Sequence, residues 1–236
     1  LLWDRNIPIL SLSFWILIII FILYSKLREH QSIRFIDGAL DLDKKIISMF
    51  NKSENYLYIV SPYFLVGENR IQSIYKAIEN GASVSILVND EALMNKSTVE
   101  ELLRLKKRGC IINQNSNLHS KIYLNEKGVI TCSLNLNHNS INKSLEVGHQ
   151  TDNVNELKKI EKIINRYLND ENTKLFTGQI ERGYCIRTKS MIPLNLKKPI
   201  SYSEWFRTND RNGKYCHKCG KKSEVTVSNP LCGEHN

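Results

Sequence analysis

The amino-acid sequence predicts an α/β layered fold, and three of its features support that class. Short β-rich runs, such as 56–61 and 83–88, alternate with longer segments that have helical periodicity. Two of the helical segments stop at a glycine, Gly81 and Gly109, the residue type that most often ends a helix. The chain has 236 residues, of which 42% are hydrophobic and 24% charged, so it can bury one full core and carry attachments.

The predicted elements succeed one another from residue 37 to about residue 170. The first is an amphipathic helix, and the strand after it ends at Pro62. A later helix is expected to open with the capping box Ser97-Thr98-Val99-Glu100 and to end before Gly109 with a basic last turn. In chain order we predict a helix at 37–53, strands at 56–61 and 83–88 on either side of a helix at 69–80, a helix from 97, a hairpin at 118–137 and a helix at 155–168.

The segment 118-LHSKIYLNEKGVITCSLNLN-137 is predicted to be a β-hairpin. Glu126-Lys127-Gly128 fits a three-residue loop with Gly128 in the left-handed position, so Asn125 should pair with Val129. Because side chains alternate across a strand, the two faces differ in character. We expect the core face to carry Ile122, Leu124, Ile130, Cys132 and Leu134, and the opposite face to carry His119, Lys121, Ser133 and Asn135.

Two interpretations of the polar face are open. Antiparallel hairpins commonly turn one polar face to water, which requires no function. The residue types favour chemistry, since an imidazole can attack phosphorus, an ammonium can hold phosphoryl oxygens, and hydroxyl and amide groups can donate to the same oxygens. Such a set suits a phosphodiester and needs no catalytic metal.

The order of these residues resembles the signature of the phospholipase D superfamily. His119, Lys121 and Glu126 are similar to its HxK(x)4D motif. Ser133 and Asn135 are similar to the GSxN element that follows it. The likeness covers roughly residues 37 to 170 and includes the strand and turn at 58–65.

The resemblance extends to a later acidic residue and departs from the family pattern at two positions. Glu146, within the segment 145-LEVG-148, is similar to the downstream acid of the same motif. Glu126 stands where the family usually has aspartate, and Cys132 stands where the pattern has glycine. The resemblance implies a layered α-β-α sandwich with a mixed sheet.

The resemblance also implies a covalent mechanism that uses two histidines. His119 would become a phosphohistidine while a second histidine protonates the leaving oxygen and later activates water. This chain has a single HxK motif, because the histidines at 30, 138, 149, 217 and 235 have no lysine two residues on. A homodimer with a composite active site is therefore implied. Lys121, Ser133 and Asn135 would bind phosphoryl oxygens, Glu146 would orient the imidazole, and Glu126 would have a supporting role.

The N-terminal run from Ile7 to Tyr24 carries no charge and is about long enough to span a bilayer. The alternatives are a cleaved signal peptide, although no small-residue cleavage site follows, and a buried core helix. Lys26, Arg28 and Arg34 follow the run, so the positive-inside tendency predicts a single-pass membrane protein with its body in the cytoplasm. The chain begins with Leu1, which is consistent with a fragment or an alternative start.

The C-terminal region has a different character from the rest of the chain. Residues 182–236 hold eleven Lys and Arg against four Asp and Glu, which is +7 of the formal net charge of +9. Cys216, Cys219, Cys232 and His235 form two close pairs with the spacing of a tetrahedral zinc site. Disulfides are the alternative, which a cytoplasmic body disfavours. We predict one structural zinc ion per chain.

A faint internal repeat accompanies the zinc motif. A shift of 31 residues aligns the Tyr-Cys pair at 184–185 with the Tyr-Cys pair at 215–216. The same shift aligns Pro199 with Pro230. The first copy has Thr188, Ser201 and Glu204 where the second has ligands, so we predict a degenerate ribbon with Cys185 as a small buried thiol. The predicted domains are a transmembrane anchor (1–25), a juxtamembrane linker (26–36), a catalytic domain (37–172) and a basic zinc-ribbon region (173–236) whose second, intact repeat is 214–236.

Three functions remain open from the sequence. The basic charge favours a membrane-anchored nuclease, and contact between the ribbon and nucleic acid is open beside a purely structural role. The membrane anchor favours a phospholipase D that acts on phospholipid. An inactive phosphodiesterase fold carrying a zinc-ribbon binding module is the non-enzymatic alternative. Ribbon residues suited to phosphate contact and base stacking are Arg211, Lys218, Lys221 and Lys222 beside Trp205 and Tyr215.

Overall fold

The computed structural model describes residues 14–23, 34–137, 145–179, 181–205, 207 and 210–236. Its largest element is an eight-stranded sheet, and three two-stranded sheets accompany it. The helices are α1 (14–23), α2 (Ala39–Asn51), α3 (Glu68–Glu79), the 3₁₀ helix η1 (Asp90–Met94), α4 (Lys96–Lys107), α5 (Val154–Leu168) and α6 (Tyr202–Trp205). The strands are β1 (Arg34–Asp37), β2 (Tyr56–Val60), β3 (Phe64–Leu65), β4 (Ser83–Val88), β5 (Ile111–Asn115), β6 (Ile122–Asn125), β7 (Gly128–Cys132), β8 (Leu136–Asn137), β9 (Val147–Thr151), β10 (Thr173–Leu175), β11 (Arg182–Tyr184), β12 (Met191–Pro193), β13 (Asn212–Tyr215) and β14 (Lys222–Thr226).

The main sheet has the strand order β1-β9-β7-β6-β2-β4-β5-β10. Strands β2, β4 and β5 are parallel to one another, and the remaining neighbours are antiparallel. The predicted mixed α/β class is therefore confirmed. The edge strands β1 and β10 come from ranges that the sequence analysis assigned to the linker and the tail.

Helices cover both faces of the main sheet. On one face, α2, α3 and α4 contribute Ile46, Ile74 and Leu102 to the larger core, and all three side chains are fully buried. On the other face, α5 packs Leu157 and Ile164 into a second core. Burial of each such side chain contributes about 1.5–3 kcal/mol, which fixes the sheet between its helices. The layers are thus α-β-α.

The predicted helices and strands of the domain are all present, with one error at a helix start. The prediction placed the N-cap of α4 at Ser97. In the structure the cap is Asn95, whose side-chain oxygen accepts hydrogen bonds from the backbone N–H groups of Ser97 (2.9 Å) and Thr98 (3.3 Å). Asparagine is a strong N-cap residue. Because Asn95 comes two residues before Ser97, the helix begins earlier than predicted.

The hairpin at 118–137 forms, but its loop has two residues rather than three. Asn125 pairs with Gly128 and Leu124 pairs with Val129, so the predicted register was wrong by one residue. Gly128 lies within β7 and has no positive φ. The side-chain oxygen of Asn125 accepts the N–H of Lys127 at 2.9 Å, which stabilises the tighter turn.

The shift in register changes which side chains share a face. Ile122 and Leu124 lie beside α5, whereas Tyr123 and Ile130 lie in the larger core on the other side. The prediction of one core face and one polar face was therefore wrong, because the hairpin is central in a sheet that helices cover on both sides. The polar residues lie beyond the ends of its strands.

The ten residues of α1 are all apolar and largely exposed. Their relative exposure reaches 71% at Phe21, and nine of them are at least 47% exposed. The predicted span from Ile7 to Tyr24 includes residues outside the described ranges. Most of the predicted linker, 26–36, also lies outside them. Among the residues described, no helix has both the length and the apolar character needed to cross a membrane.

Candidate functional site

His119, Lys121, Ser133 and Glu146 lie at one edge of the main sheet. His119 and Lys121 immediately precede β6, Ser133 follows β7, and Glu146 precedes β9. Because β7 pairs antiparallel with both β6 and β9, the start of β6, the end of β7 and the start of β9 meet at the same edge. The fold therefore brings together residues that are up to 27 positions apart in the chain.

Ser133 and Glu146 are in direct contact. The hydroxyl of Ser133 donates to the carboxylate Oε2 of Glu146. The backbone of Val147 frames this pair, since its N–H donates to Ser133 Oγ at 3.1 Å and its carbonyl accepts from Ser133 N at 3.0 Å. Ser133 is exposed and Glu146 is half-buried, so a substrate can reach the serine hydroxyl.

Close packing behind Glu146 fixes its position. The carbonyl of Glu146 accepts a hydrogen bond from Gly38 N at 2.9 Å, which ties it to the start of α2. Two residues later, a Cβ at Gly148 would lie 2.3 Å from Cδ2 of Leu42 and 3.0 Å from Cβ of Cys132. The glycine in Leu-Glu-Val-Gly therefore lets β9 approach α2, and the approach places Glu146 at the edge.

Lys121 and His119 lie on the opposite side of the β7 end from Glu146. The ammonium of Lys121 donates to the backbone carbonyl of His119 at 2.9 Å, and the Lys121 carbonyl accepts from Cys132 N at 3.2 Å. His119 is exposed and Lys121 is half-buried. The ladder places Lys121 opposite Cys132, whereas the predicted register had placed it opposite Ser133.

Cys132 lies between the charged groups of the site. Burial raises the pKa of its thiol, the hydrogen bond with the Leu134 backbone and the Lys121 ammonium lower it, and the Glu146 carboxylate raises it, to a net value of about 12. The thiol is therefore neutral at physiological pH, and its Sγ donates to Leu134 O at 3.5 Å. Cys132 serves as an apolar partner between a cation and an anion rather than as a nucleophile.

Asn135 is half-buried in the segment between β7 and β8. Its side-chain Oδ1 is buried and, within the described part of the chain, has no hydrogen-bond partner. The hydrogen bonds among the described residues do not join Asn135 to Ser133 or Glu146. An unmet buried acceptor is costly for a folded protein, so Oδ1 is a candidate contact for a donor of a bound group, whereas the Nδ2 group of Asn135 is the one that could donate to a phosphoryl oxygen.

Glu126 lies away from the other predicted site residues, at the opposite end of the hairpin. Its carboxylate accepts hydrogen bonds from the backbone N–H groups of Glu54 (3.1 Å), Asn55 (3.4 Å) and Tyr56 (3.5 Å). Burial raises the pKa of this carboxyl, and the backbone N–H donors outweigh that effect and lower it. The acid of the motif therefore anchors the hairpin turn to the start of β2.

We expect Glu126→Gln to lower the free energy of unfolding by about 1–2 kcal/mol and to change kcat/KM by less than about twofold. The lowered pKa means that this stabilisation is complete above the ordinary carboxyl range and is lost as the pH falls through the lowered value. The difference between variant and parent should therefore shrink in acid. Urea unfolding at neutral and acidic pH measures it, and a large loss of activity with unchanged stability would contradict this role.

Asn89 organises the chain just before His119, and no motif in the sequence marks it. Asn89 is 4% exposed, and its amide donates to the carbonyls of Leu118 (3.0 Å) and Ser116 (3.3 Å). Its backbone N–H donates to Pro62 O at 3.0 Å. The available signal was its place directly after the buried parallel strand β4, where polar residues of α/β sheets often serve a site.

Ser61 and Tyr123 bind the chain that follows β7 at the same edge of the sheet. Ser61 Oγ donates to Tyr63 O at 2.9 Å and accepts from Leu136 N at 3.0 Å. The Tyr123 hydroxyl is fully buried and donates to Leu134 O at 3.1 Å. These bonds fix the segment from Ser133 to β8 that follows strand β7.

A second cluster lies in the tail. Cys216, Cys219, Cys232 and His235 place one ligand atom each within 4.8 Å of one another. The Sγ atoms of Cys219 and Cys232 are 3.8 Å apart, which is about the S–S edge of a tetrahedron with Zn–S bonds of 2.3 Å. His235 Nδ1 lies 3.2 Å from Cys232 Sγ and 4.0 Å from Cys216 Sγ. The residues fit a zinc ion.

Ionisation of Cys216 favours the same conclusion. Burial raises the pKa of its thiol, and the backbone N–H groups of Cys219, Cys232 and Lys218 lower it to a net value of about 6. One of these contacts is the N–H of Cys232, which donates to Cys216 Sγ at 3.3 Å. The thiolate is the form that binds zinc.

The comparisons with known proteins agree with the mixed α/β fold. The family model described as "Cardiolipin synthase, PLD-like domain" matches residues 46–168, just over half of the chain. No curated protein sequence is significantly similar to this chain.

Solved structures with the same fold include a phospholipase D family member, the protein NucT and a phosphatidylserine synthase. Nuc from Salmonella typhimurium, described as a phospholipase D family member, has 14% identity and a TM-score of 0.53, over 61% of this chain and 98% of its own. NucT from Helicobacter pylori has 17% identity and a TM-score of 0.53 over the same shares. Phosphatidylserine synthase from Haemophilus influenzae has 20% identity and a TM-score of 0.51, over 61% of this chain and 39% of its own.

Identities this low show a shared fold, and the family model adds membership through its match to the α-β-α domain itself. This chain belongs to the family with the cardiolipin synthase PLD-like domain, within the phospholipase D superfamily.

Proposed function

We propose that this chain is a phosphodiesterase that cleaves nucleic acid through a phosphohistidine intermediate. The observation that carries the proposal is the meeting of an exposed imidazole, an ammonium and the hydrogen-bonded Ser133–Glu146 pair at one sheet edge. These groups supply a nucleophile, a cation for phosphoryl oxygens and a polar donor without a catalytic metal.

In the first step the His119 imidazole attacks phosphorus and forms a P–N bond while the P–O bond to the leaving group breaks. Lys121 holds the non-bridging oxygens as negative charge grows on them, and Ser133 and Asn135 donate hydrogen bonds to the same oxygens. A second imidazole gives its proton to the leaving oxygen. In the second step that imidazole takes a proton from water, the water oxygen attacks phosphorus, and the P–N bond breaks.

The second imidazole is proposed to come from a second copy of the chain. The sequence offers a single HxK motif, so a two-fold homodimer would place two copies of His119 across one composite site. Glu146 lies beside the same edge, where its carboxylate would orient an imidazole of that dimer as it now orients Ser133.

The charge of the molecule favours nucleic acid over lipid. Of the formal net charge of +9, residues 182–236 carry +7, and Arg211, Lys218, Lys221 and Lys222 are exposed there. The first part of this basic region packs beside Ser116, close to His119 in the chain. A nucleic acid whose phosphates bind to this basic region could extend from it to the sheet edge that carries His119.

The specific observation that favours phospholipid is apolar surface. A cavity of about 390 Å³ is lined by Tyr63, Leu65 and Met94 together with the polar side chains of Glu91, Asn95 and Thr98. The exposed apolar helix α1 also supports our proposal that residues 1–25 form a single-pass membrane anchor. Lys26, Arg28 and Arg34 favour a cytoplasmic body.

The test offers the full chain, purified in detergent, three substrates side by side without added divalent metal. These are single-stranded DNA, single-stranded RNA and phosphatidylcholine vesicles. We expect cleavage of nucleic acid. Release of choline with both nucleic acids intact would select the lipid alternative. If none of the three is cleaved and a separate assay with the general phosphodiester bis(4-nitrophenyl) phosphate also shows no cleavage, the inactive binding module is favoured.

A further inference from the structure

The two halves of the tail have the same local structure, far beyond the few residue matches in the sequence. Strands β11 and β12 form one hairpin, and β13 and β14 form another. Tyr184 pairs with Met191 in the first, and Tyr215 pairs with Lys222 in the second, each 31 residues later. Lys189 and Gly220 occupy equivalent turn positions and both have positive φ, 61° and 69°.

Five hydrogen bonds that surround the metal ligands of the second repeat recur in the first. A cysteine sulfur accepts an N–H in both repeats, from Ser201 to Cys185 at 3.4 Å and from Cys232 to Cys216 at 3.3 Å. Four backbone bonds are also equivalent, and each is given as donor N to acceptor O. In the first repeat they are Cys185 to Ser190 (2.8 Å), Lys189 to Cys185 (2.9 Å), Ile186 to Pro199 (3.0 Å) and Glu204 to Ser201 (3.0 Å). In the second repeat they are, in the same order, Cys216 to Lys221 (2.9 Å), Gly220 to Cys216 (2.9 Å), His217 to Pro230 (2.8 Å) and His235 to Cys232 (2.8 Å).

The first repeat nevertheless lacks a set of metal ligands. Thr188, Ser201 and Glu204 stand where the second repeat has Cys219, Cys232 and His235. Among the residues described, the cluster of the second repeat is the one group of three or more His, Cys, Asp or Glu side chains that could share a metal ion. Cys185 is fully buried.

The repeats contact each other reciprocally. Tyr184 N donates to His217 O at 2.6 Å, and the equivalent Tyr215 N donates to Ile186 O, the equivalent acceptor, at 3.0 Å. A Cβ at Gly220 would touch the Tyr184 ring, and the Lys189 ammonium lies 5.8 Å from the centre of the Tyr215 ring. The two repeats therefore form a pair with approximate two-fold symmetry.

The side chain of His217, in the second repeat, makes hydrogen bonds to the first repeat. Its side chain is fully buried, with Nδ1 2.6 Å from Tyr184 O and Nε2 accepting from Asn195 N at 2.8 Å. The small apolar core is also shared, since Val225 of the second repeat packs with Ile186 and Ile192 of the first. The first repeat thus depends for its packing on residues next to the metal ligands.

The first repeat also faces the catalytic domain. Pro193, Asn195 and Lys198 lie across a small cleft from Asp90 and Ser116. Burial raises the pKa of Asp90, and the cations of Lys174 in β10 and Lys198 in the first repeat lower it in part, so an acid of η1 faces a base of the first repeat. The cleft adjoins Asn89 and Ser116, which hold the chain that leads to His119.

We propose that the first repeat is a metal-free ribbon that docks the zinc-binding repeat onto the catalytic domain beside the site, and that zinc in the second repeat keeps both repeats folded. This inference rests on the proposed zinc binding and does not depend on which phosphodiester is cleaved.

Hydrogen exchange of the full chain, with zinc and after its removal by a chelator, tests the coupling. We expect amides of both repeats, 182–205 and 212–235, to lose protection together while the main sheet retains it. Continued protection of the first repeat after zinc has left would overturn the proposal. Loss of zinc is followed by mass spectrometry of the metal, so failure to bind zinc in the first place is a separate outcome that removes its premise.

Restoring the missing ligands tests the equivalence of the repeats. The triple variant Thr188→Cys, Ser201→Cys, Glu204→His should bind two zinc ions per chain, against one for the parent. The matched variant Thr188→Ser, Ser201→Thr, Glu204→Gln should remain at one. A folded triple variant that still binds one zinc would contradict the shared ribbon geometry, and if it does not fold, the exchange experiment decides.

Charge reversal at the docking surface tests the contact with the catalytic domain. Lys198→Asp should repel Asp90 and raise exchange at 89–91 and 116–118, with zinc content unchanged. Lys214→Asp is the control, because Lys214 is an exposed lysine of β13 that does not line this cleft. Equal exchange in both variants would show that Lys198 does not dock the first repeat.

Discussion

Replacing His119 with alanine should reduce phosphodiester cleavage by at least about a thousandfold, because the variant loses the group that forms the P–N bond. The fold should be unaffected, since His119 is exposed and lies outside the strands of the sheet. The measurement is kcat/KM on an oligonucleotide and on bis(4-nitrophenyl) phosphate, together with the urea midpoint. Both substrates should lose activity equally, since the lost step is common to both.

Ser120→Ala is the matched control for His119→Ala. Ser120 is the next residue in the chain. Its hydroxyl lies 3.0 Å from the hydroxyl of Tyr167 on α5, the helix that covers the sheet face opposite α2, α3 and α4. Its loss should cost stability of about 1 kcal/mol and leave kcat/KM nearly unchanged. Activity of His119→Ala within tenfold of the parent would remove His119 as the nucleophile.

Helices α2 to α5 and strands β2, β4, β6 and β7 of the main sheet could be predicted from the sequence. Strands β1, β5, β9 and β10 and the register of the central hairpin could not. Periodicity and glycine stops located the helices to within one or two residues because those signals are local. The length of the hairpin loop depends on Asn125, which accepts from Lys127, and on Glu126, which binds the backbone before β2. The second of these contacts joins residues about 70 positions apart, so no local pattern contains it.

The candidate site was predicted in composition but not in arrangement. The motif order identified Ser133 and Glu146, but their contact depends on the pairing of β7 with β9, which follows from the whole sheet. Asn89 was missed because an asparagine after a strand usually begins a turn, and its bonds to Leu118 and Ser116 are tertiary. The same holds for His217, whose partners belong to the other repeat.

A mixture of parent and His119→Ala chains should lose activity faster than the fraction of parent falls. If each site needs one imidazole from each of two chains, only dimers of two parent chains are fully active, and their share is the square of the parent fraction. With one part parent to nine parts variant, activity should fall to about one hundredth of the all-parent value, against about one tenth for independent sites.

The mixture must be made by unfolding and refolding the two chains together with zinc present, so that subunits exchange completely. The control mixes parent with Ser120→Ala, which should leave activity almost unchanged at every ratio because both chains carry His119. Sedimentation of the mixtures reports the share of dimers independently of activity. A linear loss in a preparation that sediments as a dimer would place a complete site within each chain, and another side chain at the sheet edge would then have to protonate the leaving oxygen.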